Sequence, residues 1–355
     1  MNRFKTLVSV AVVTAGAFAV LPVATSHAAA GARFATTPPP GAVGPDDITR
    51  SATSGVDGGR TVIWTAYQNG INADGSPGTA GGATQSTVAG YDARTGSLVE
   101  TIPVTGKVDG LTADPALCRL IATVNEDNNS ALNLIDVNAK TVTTYSYSPS
   151  PAVAGVGGTD SVAIWGGEII IVHSNPSDTT QAAQYSAVLD NATLTANLTP
   201  LFFDNSNATN AITGARAPLA LTDPDTNIVV PDAAPRFAGQ LALISQGDGQ
   251  IIFTHPGESS ALTVLPVTDN VAGNVPPIDS MAVATSHNGT LYVVDAKANA
   301  ISTIDTNAFP AGTVFVSEPS DNQNPLVGTL DLSTGQITPL SNTFVSPKGL
   351  LFVPR

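Results

Sequence analysis

Cysteine is almost missing from this chain: Cys118 is the only one in 355 residues. A lone thiol closes no internal disulfide, so the fold must be held by its core. Charge is scarce as well, at 12% of residues, and it is lopsided, with 14 lysines and arginines against 28 aspartates and glutamates. A surface of that sign repels phosphate backbones and anionic lipid, which excludes nucleic acid as a partner and favours solubility or the attraction of cations. Beyond residue 23 no stretch is apolar for long enough to span a bilayer. The composition also disfavours long amphipathic helices. Glycine (32), proline (26), threonine, serine, asparagine and aspartate dominate instead, which suits short strands joined by tight turns.

The one long apolar run lies at the start. Arg3 and Lys5 precede an uncharged stretch from about Leu7 to Val23, and Ser26-His27-Ala28-Ala29-Ala30 follows it. This is the layout of a secretory signal, residues 1–30, with cleavage expected between Ala28 and Gly31; Pro22 and the small residues after it disfavour a retained anchor. Without Arg3 and Lys5, 12 basic residues face 28 acidic ones, a net charge of −16. Residues 31–45, with Pro38-Pro39-Pro40, lack periodicity and read as a flexible leader. The expected location is secreted or in the cell envelope.

From Asp46 to residue 355, β-branched runs such as Thr61–Tyr67, Glu168–His173, Gln250–Thr254 and Gly349–Val353 alternate with turn residues, and no segment reads as a helix. Two phrases recur. In one, an apolar residue and an aspartate lead into a short polar turn: Tyr91-Asp92, Ile135-Asp136, Leu189-Asp190 and Leu330-Asp331. Each is expected to close a hairpin by accepting hydrogen bonds from its own loop. In the other, an aspartate, a small or polar residue and an aliphatic residue open a strand: Asp46-Asp47-Ile48, Asp109-Gly110-Leu111, Asp160-Ser161-Val162 and Asp279-Ser280-Met281, with Lys348-Gly349-Leu350 as the last. Asp92 and Asp136 lie 44 residues apart, within the period of roughly 40–50 of a four-stranded propeller blade. The residues available predict a single all-β domain, a β-propeller of about six four-stranded antiparallel blades, with seven as the alternative. The long period disfavours a β-helix, and the absence of a linker disfavours two sandwiches. Residues 208–269 match the repeat poorly, and Asp305 to Asp331 is too short for a blade.

Asp109-Gly110-Leu111-Thr112-Ala113-Asp114-Pro115, Asn288-Gly289-Thr290-Leu291-Tyr292-Val293-Val294-Asp295 and Ser346-Pro347-Lys348-Gly349-Leu350 resemble the blades of NHL-repeat propellers and of the senescence-marker-protein and gluconolactonase superfamily. The likeness is one of blades and covers about half of the chain, so it implies a fold before an activity. The resembling lactonases bind a divalent metal at the channel mouth through Glu, Asn and Asp. Asn125, Glu126 and Asp127 offer such groups, but no trio matches position by position, and no ligand role is carried over.

If the opening phrases begin the innermost strands, Asp46 or Asp47, Asp109, Asp160 and Asp279 gather at one mouth of the channel, with Lys348 as counter-charge. Converging carboxylates there suit Ca2+ or a polarised substrate, so Asp47, Asp109, Asp160 and Asp279 are the candidate metal ligands. The plainer reading is that each aspartate caps its own loop. Asn125 to Asn129 reads as an exposed turn, Asp223-Pro224-Asp225 as a rigid turn imitating half a calcium loop, and Gln246-Gly247-Asp248-Gly249 as another turn. His173, His255 and His287 are scattered, and neither a paired-histidine zinc motif nor a G-x-S-x-G elbow occurs. Trp64, Trp165, Tyr67 and Phe237 are expected to pack between blades. The leading expectation is a monomeric binding propeller for a small molecule, glycan or protein. The alternative is a calcium-dependent lactonase-like hydrolase or lyase in which Asp109 and Asp160 hold the metal; whether the chain is an enzyme stays open.

Overall fold

The computed structural model describes residues 36–52, 61–150, 157–177, 181–254, 261–269, 275–307, 309–320 and 324–355. The expected signal segment and His255 lie outside them. The described residues are all-β, with 25 strands and no α-helix.

The first sheet is an antiparallel meander of β1 (Pro45–Ala52), β2 (Thr61–Tyr67), β3 (Gln85–Asp92) and β4 (Leu98–Thr105). A second meander follows: β5 (Val108–Asp114), β6 (Arg119–Val124), β7 (Ala131–Asp136) and β8 (Thr141–Ser148). The third is β9 (Thr159–Trp165), β10 (Glu168–His173), β11 (Ala182–Asp190) and β12 (Thr195–Phe203). The outer strands β8 and β12 pair in parallel, Ser146 opposite Thr195, so these two meanders form one sheet of eight strands. A short hairpin, β13 (Asn207–Asn210) and β14 (Arg216–Pro218), precedes β15 (Pro224–Val229), β16 (Leu241–Ser245), β17 (Gln250–Thr254) and β18 (Leu262–Pro266). It adds to the outer edge of β18 to make a sheet of six. This hairpin and the irregular start of β15 are why residues 208–269 break the sequence repeat.

The remaining strands are interleaved. In chain order they are β19 (Ser280–Val283), β20 (Gly289–Asp295), β21 (Ala300–Asp305), β22 (Val314–Glu318), β23 (Leu326–Asp331), β24 (Gln336–Ser341) and β25 (Pro347–Pro354). They pair as β19-β22-β23-β24 and as β21-β20-β25, so the chain leaves one sheet, builds a hairpin of the next, returns, and leaves again. The short spacing from Asp305 to Asp331 has this cause: the two turns belong to different sheets. Four-stranded, consecutive units describe the first half of the chain, whereas the sheets as a whole hold three to eight strands.

Burial explains which residues became which strand. Middle strands are sealed on both faces, and their sequences are unbroken apolar or β-branched runs, as in Glu168–His173, buried everywhere except Glu168. Outer strands such as Leu98–Thr105 and Thr141–Ser148 alternate, burying Ile102 and Val104 or Tyr145 and Tyr147 and leaving most other side chains in solvent. Each apolar cluster is shared by successive meanders. Trp64 and Ile102 pack with Leu111 and Ile135; Leu132 and Tyr145 pack with Ile171 and Tyr185; Val172 and Phe202 pack with Leu243 and Ile252. The last cluster, Tyr67 and Tyr91 with Tyr292 and Ile301, joins the final sheet to the first. The first strands lie side by side in the same order, β1 on β5, β5 on β9, β9 on β15, and β25 between β19 and β1, a nearly closed circuit.

Residues 36–44 lie against this closure. Thr36 donates its N–H to Ile301 O at 3.4 Å and accepts the Ile301 N–H at its Oγ1, Asn299 bonds Gly44 N and Ala42 O, and Thr36 and Ala42 are buried. The turn aspartates behave as the sequence predicts: Asp92, Asp136, Asp190 and Asp331 each accept backbone N–H groups of the residues that follow, at the outermost hairpins.

Candidate functional site

All of the first strands reach one cavity of about 250 Å³. It is lined by Asp47 from β1, Leu111 from β5, Val162 from β9, Asn227 from β15, Ser280 from β19 and Leu350 from β25, among others. The residue after each opening charge sets how closely two first strands approach. Asp47 Oδ2 accepts Leu111 N–H at 2.7 Å, Ser161 Oγ accepts Asn227 N–H at 3.1 Å, and Ser280 Oγ accepts Leu350 N–H at 3.1 Å. The intervening junctions use glycine. A Cβ on Gly110 would stand 2.7 Å from Ser161 Cα, and one on Gly349 would stand 2.7 Å from Asp46 O, so at both places only a bare α-carbon fits. Side-chain acceptors and glycines thus alternate around most of the circuit.

One residue earlier in each strand lies the charge. Asp46, Asp109, Asp160, Asp279 and Lys348 hold this position as the opening phrases predict, and Asp225 of β15 joins them. The sequence reading took Asp223-Pro224-Asp225 for a turn; it is instead the start of a first strand. The aliphatic residue follows later than elsewhere because the β15–β16 register shifts between Pro224 and Asn227. Asp47 is placed inward of the mouth, with both oxygens on backbone N–H groups, Ile48 at 2.8 Å and Leu111 at 2.7 Å. Burial raises its carboxyl to about 7 despite those bonds, with Asp46 and Asp279 adding to the rise.

Two ammonium groups organise the mouth. Lys348 Nζ sits 2.7 Å from Asp46 and 3.6 Å from Asp279. Lys107 Nζ is 2.7 Å from Asp109 Oδ1 and also bonds Glu126. Gln68 Nε2 ties the two groups together by donating to Asp46 Oδ2 at 2.9 Å and Asp109 Oδ1 at 3.3 Å, and Gln246 donates to Asp279. Glu126 reaches Lys107 because the turn it belongs to is pinned: Asn125 is buried with a positive φ of 65° and accepts Lys107 N–H at 2.9 Å. That turn is exposed at Asp127 and Asn129, as expected, but it is anchored at its buried first residue. Burial raises both lysines' opposition to charge, but the surrounding carboxylates win and hold both ammonium groups firmly protonated.

Not every carboxylate is matched. Asp160 is 6% exposed, and among the described residues its carboxylate forms no ion pair and accepts no hydrogen bond. Burial raises its pKa well above the ordinary range, with Asp225, Glu126 and Asp109 reinforcing the rise. Asp225, partly buried, is raised by burial and by Asp279, with Lys348 opposing. Asp109 is raised by burial and held back by Lys107, and among the described residues its buried Oδ2 has no hydrogen-bond partner.

The donor set does not fit calcium. Ca2+ takes six to eight oxygens, whereas among the described residues no three of Asp, Glu, His or Cys are disposed to hold a metal ion. Of the candidate ligands, Asp109 and Asp279 lean on lysines, and Asp47 serves backbone groups, leaving Asp160 alone. The other candidates have structural roles. Asp248 accepts the Ser245 hydroxyl within its own turn and ties that turn to the segment before β15 by accepting Thr222 N–H at 2.9 Å. His173 is fully buried at the end of β10, its Nδ1 accepting Asn175 N–H, and His287 is exposed. Trp64 donates to Ser51 and Trp165 to Gly239 O of a neighbouring sheet, Tyr67 and Tyr91 share a 2.7 Å hydroxyl contact, and Phe237 stacks on Phe253 at 3.8 Å.

No protein-family model matches the sequence, and no curated protein matches it. Solved structures do resemble it. The periplasmic gluconolactonase of Pseudomonas aeruginosa is 13% identical, covering 86% of this chain and 87% of that one, with a TM-score of 0.46. A putative gluconolactonase is 11% identical over 90% of this chain and 84% of its own, TM-score 0.47. The Swd1 β-propeller domain of Myceliophteria thermophila is 11% identical over 82% and 83%, TM-score 0.39. Among the described residues no helix is long and apolar enough to cross a membrane.

Proposed function

We propose that the chain is an exported β-propeller of six blades that takes a small polar molecule at its acidic mouth and hydrolyses it in the manner of a lactonase. The six-blade reading is supported by the six first strands that each lend a residue to one cavity and by apolar clusters shared between neighbours. Export is supported by the layout of residues 1–30.

One observation carries the chemistry: Asp109 presents a buried oxygen, Oδ2, without a partner among the described residues, while Lys107 holds the other oxygen at 2.7 Å. A carboxylate whose pKa burial raises, with one oxygen left without a hydrogen-bond partner among the described residues, is suited to take a proton from water. The water oxygen adds to the ester carbonyl, the ring C–O bond breaks, and the proton passes by way of Asp109 to the departing alkoxide. The Lys107 ammonium, fixed between Asp109 and Glu126, offers positive charge to the oxygen on which negative charge develops. No metal enters this scheme.

The test is turnover of a panel of five- and six-membered lactones, followed by pH-stat titration in the presence of a chelator. Asp109→Asn should lower kcat at least a hundredfold and Lys107→Met at least tenfold, and wild-type activity should rise with pH as Asp109 ionises. A chain that binds panel members without turning them over is a binding propeller. Activity that survives Asp109→Asn refutes the assignment of the base.

A further inference from the structure

Around the mouth, acidic residues are grouped about cations. Asp46 and Asp279 share Lys348, and Asp109 and Glu126 share Lys107. Asp160 and Asp225 form a third group on the adjacent strands β9 and β15, and among the described residues no ammonium pairs with either. Asp160 is 6% exposed, its carboxylate forms no ion pair and accepts no hydrogen bond among the described residues, and it is influenced most, after its burial, by Asp225. A buried carboxylate in this state is costly unless a proton or a cation neutralises it.

We propose that the gap between Asp160 and Asp225 is a subsite for the ammonium group of a small organic cation, the ligand supplying the charge that the chain's own lysines supply to the other two groups. The proposal rests on the reading above in taking this mouth as the ligand-binding end. It goes beyond that reading by giving the substrate a basic nitrogen. An –NH3+ group carries three donors and can be met by two carboxylates from separate strands. A calcium ion would need several more oxygens than these two residues hold, and the carboxylates that could complete its shell are occupied by lysine. The surplus of acid at the mouth would also draw a cation toward it.

The measurement is calorimetric titration of the full chain with 1,4-diaminobutane near pH 7, in two buffers of different ionisation enthalpy, with butane-1,4-diol and CaCl2 as comparison ligands. The diamine should bind with release of protons from the two aspartates, and the diol should give no heat. Asp160→Asn and Asp225→Asn should each weaken the diamine at least tenfold. Both substitutions keep the side-chain shape and remove an unmatched charge, so an undiminished melting temperature verifies that they fold. Absence of diamine binding, binding unaffected by both substitutions, or displacement of the diamine by equimolar Ca2+ would overturn the proposal. Asp109→Asn separates the two ideas. If it abolishes lactone turnover and leaves diamine binding intact, both hold. Diamine binding with no turnover of any lactone removes the hydrolase alone, and turnover of neutral lactones without diamine binding removes the ammonium subsite alone.

Discussion

Glu318, the last residue of β22, should make this protein weaker as pH rises across the neutral range. It is 1% exposed, and among the described residues its Oε1 has no hydrogen-bond partner. Burial, with Asp269 adding its charge, raises its carboxyl from 4.5 to about 7. A carboxyl raised on folding binds its proton more tightly in the native state, so the stability it confers is complete below the unfolded value and is lost as pH climbs through the folded one. Linkage over that interval gives about 3 kcal/mol in total, of which roughly 2.5 kcal/mol falls between pH 5 and pH 8. Glu318→Gln resembles the protonated acid at every pH and should lose none of it. Urea denaturation of both proteins at pH 5 and pH 8 reads the difference: equal or nearly equal midpoints at pH 5, and a clearly higher midpoint for the variant at pH 8. If the variant keeps the full pH dependence of the wild type, or is the weaker protein at pH 8, Glu318 is not the buried acid described.

Three further outcomes follow from the packing. Gly110→Ala would place a Cβ 2.5 Å from Thr123 Oγ1 and 2.7 Å from Ser161 Cα; strands β5 and β9 must part, and thermal unfolding should show a loss of about 1–3 kcal/mol. Asp136→Ala removes the acceptor of the Asn138 and Ala139 N–H groups, which solvent can replace, so urea titration should register no more than about 1 kcal/mol. Asn299→Ala cuts both bonds to the 42–44 segment, and the Gly44 amide should exchange with deuterium faster than in the wild type, while amides of β10 keep their rates.

What was legible in the sequence was whatever the chain repeats. Long apolar runs such as Thr61–Tyr67 and Gln250–Thr254 became strands with those bounds, because middle strands are buried on both faces and need no alternation to mark them. The opening phrases located five of the six charged positions at the mouth, and Lys348 stood against Asp46 and Asp279 as expected. The sixth position, Asp225, was hidden because proline and aspartate signal a turn and the register shift delays Ile228. Glu126 was named among the acids and amides near the mouth, but its pairing with Lys107 was missed for a different reason. Its role depends on Asn125 holding the Lys107 backbone, a contact across a hairpin that residue spacing does not reveal. The interleaving of β19 to β25 was equally invisible, since local patterns specify that a strand forms but not which partner it takes.

That interleaving bears on how the protein reaches its native state. The first three meanders can each zip up from neighbouring hairpins soon after their residues become available, since almost every pairing is local. The closing segment offers no such order: β19 must wait for β22, and β20 must wait for β25, so two strands stay open-edged while some thirty to sixty later residues arrive. Exposed edges of that kind recruit other chains. Substitutions that delay β22 or β25 should therefore lower the yield of folded protein far more than they lower the stability of the molecules that succeed.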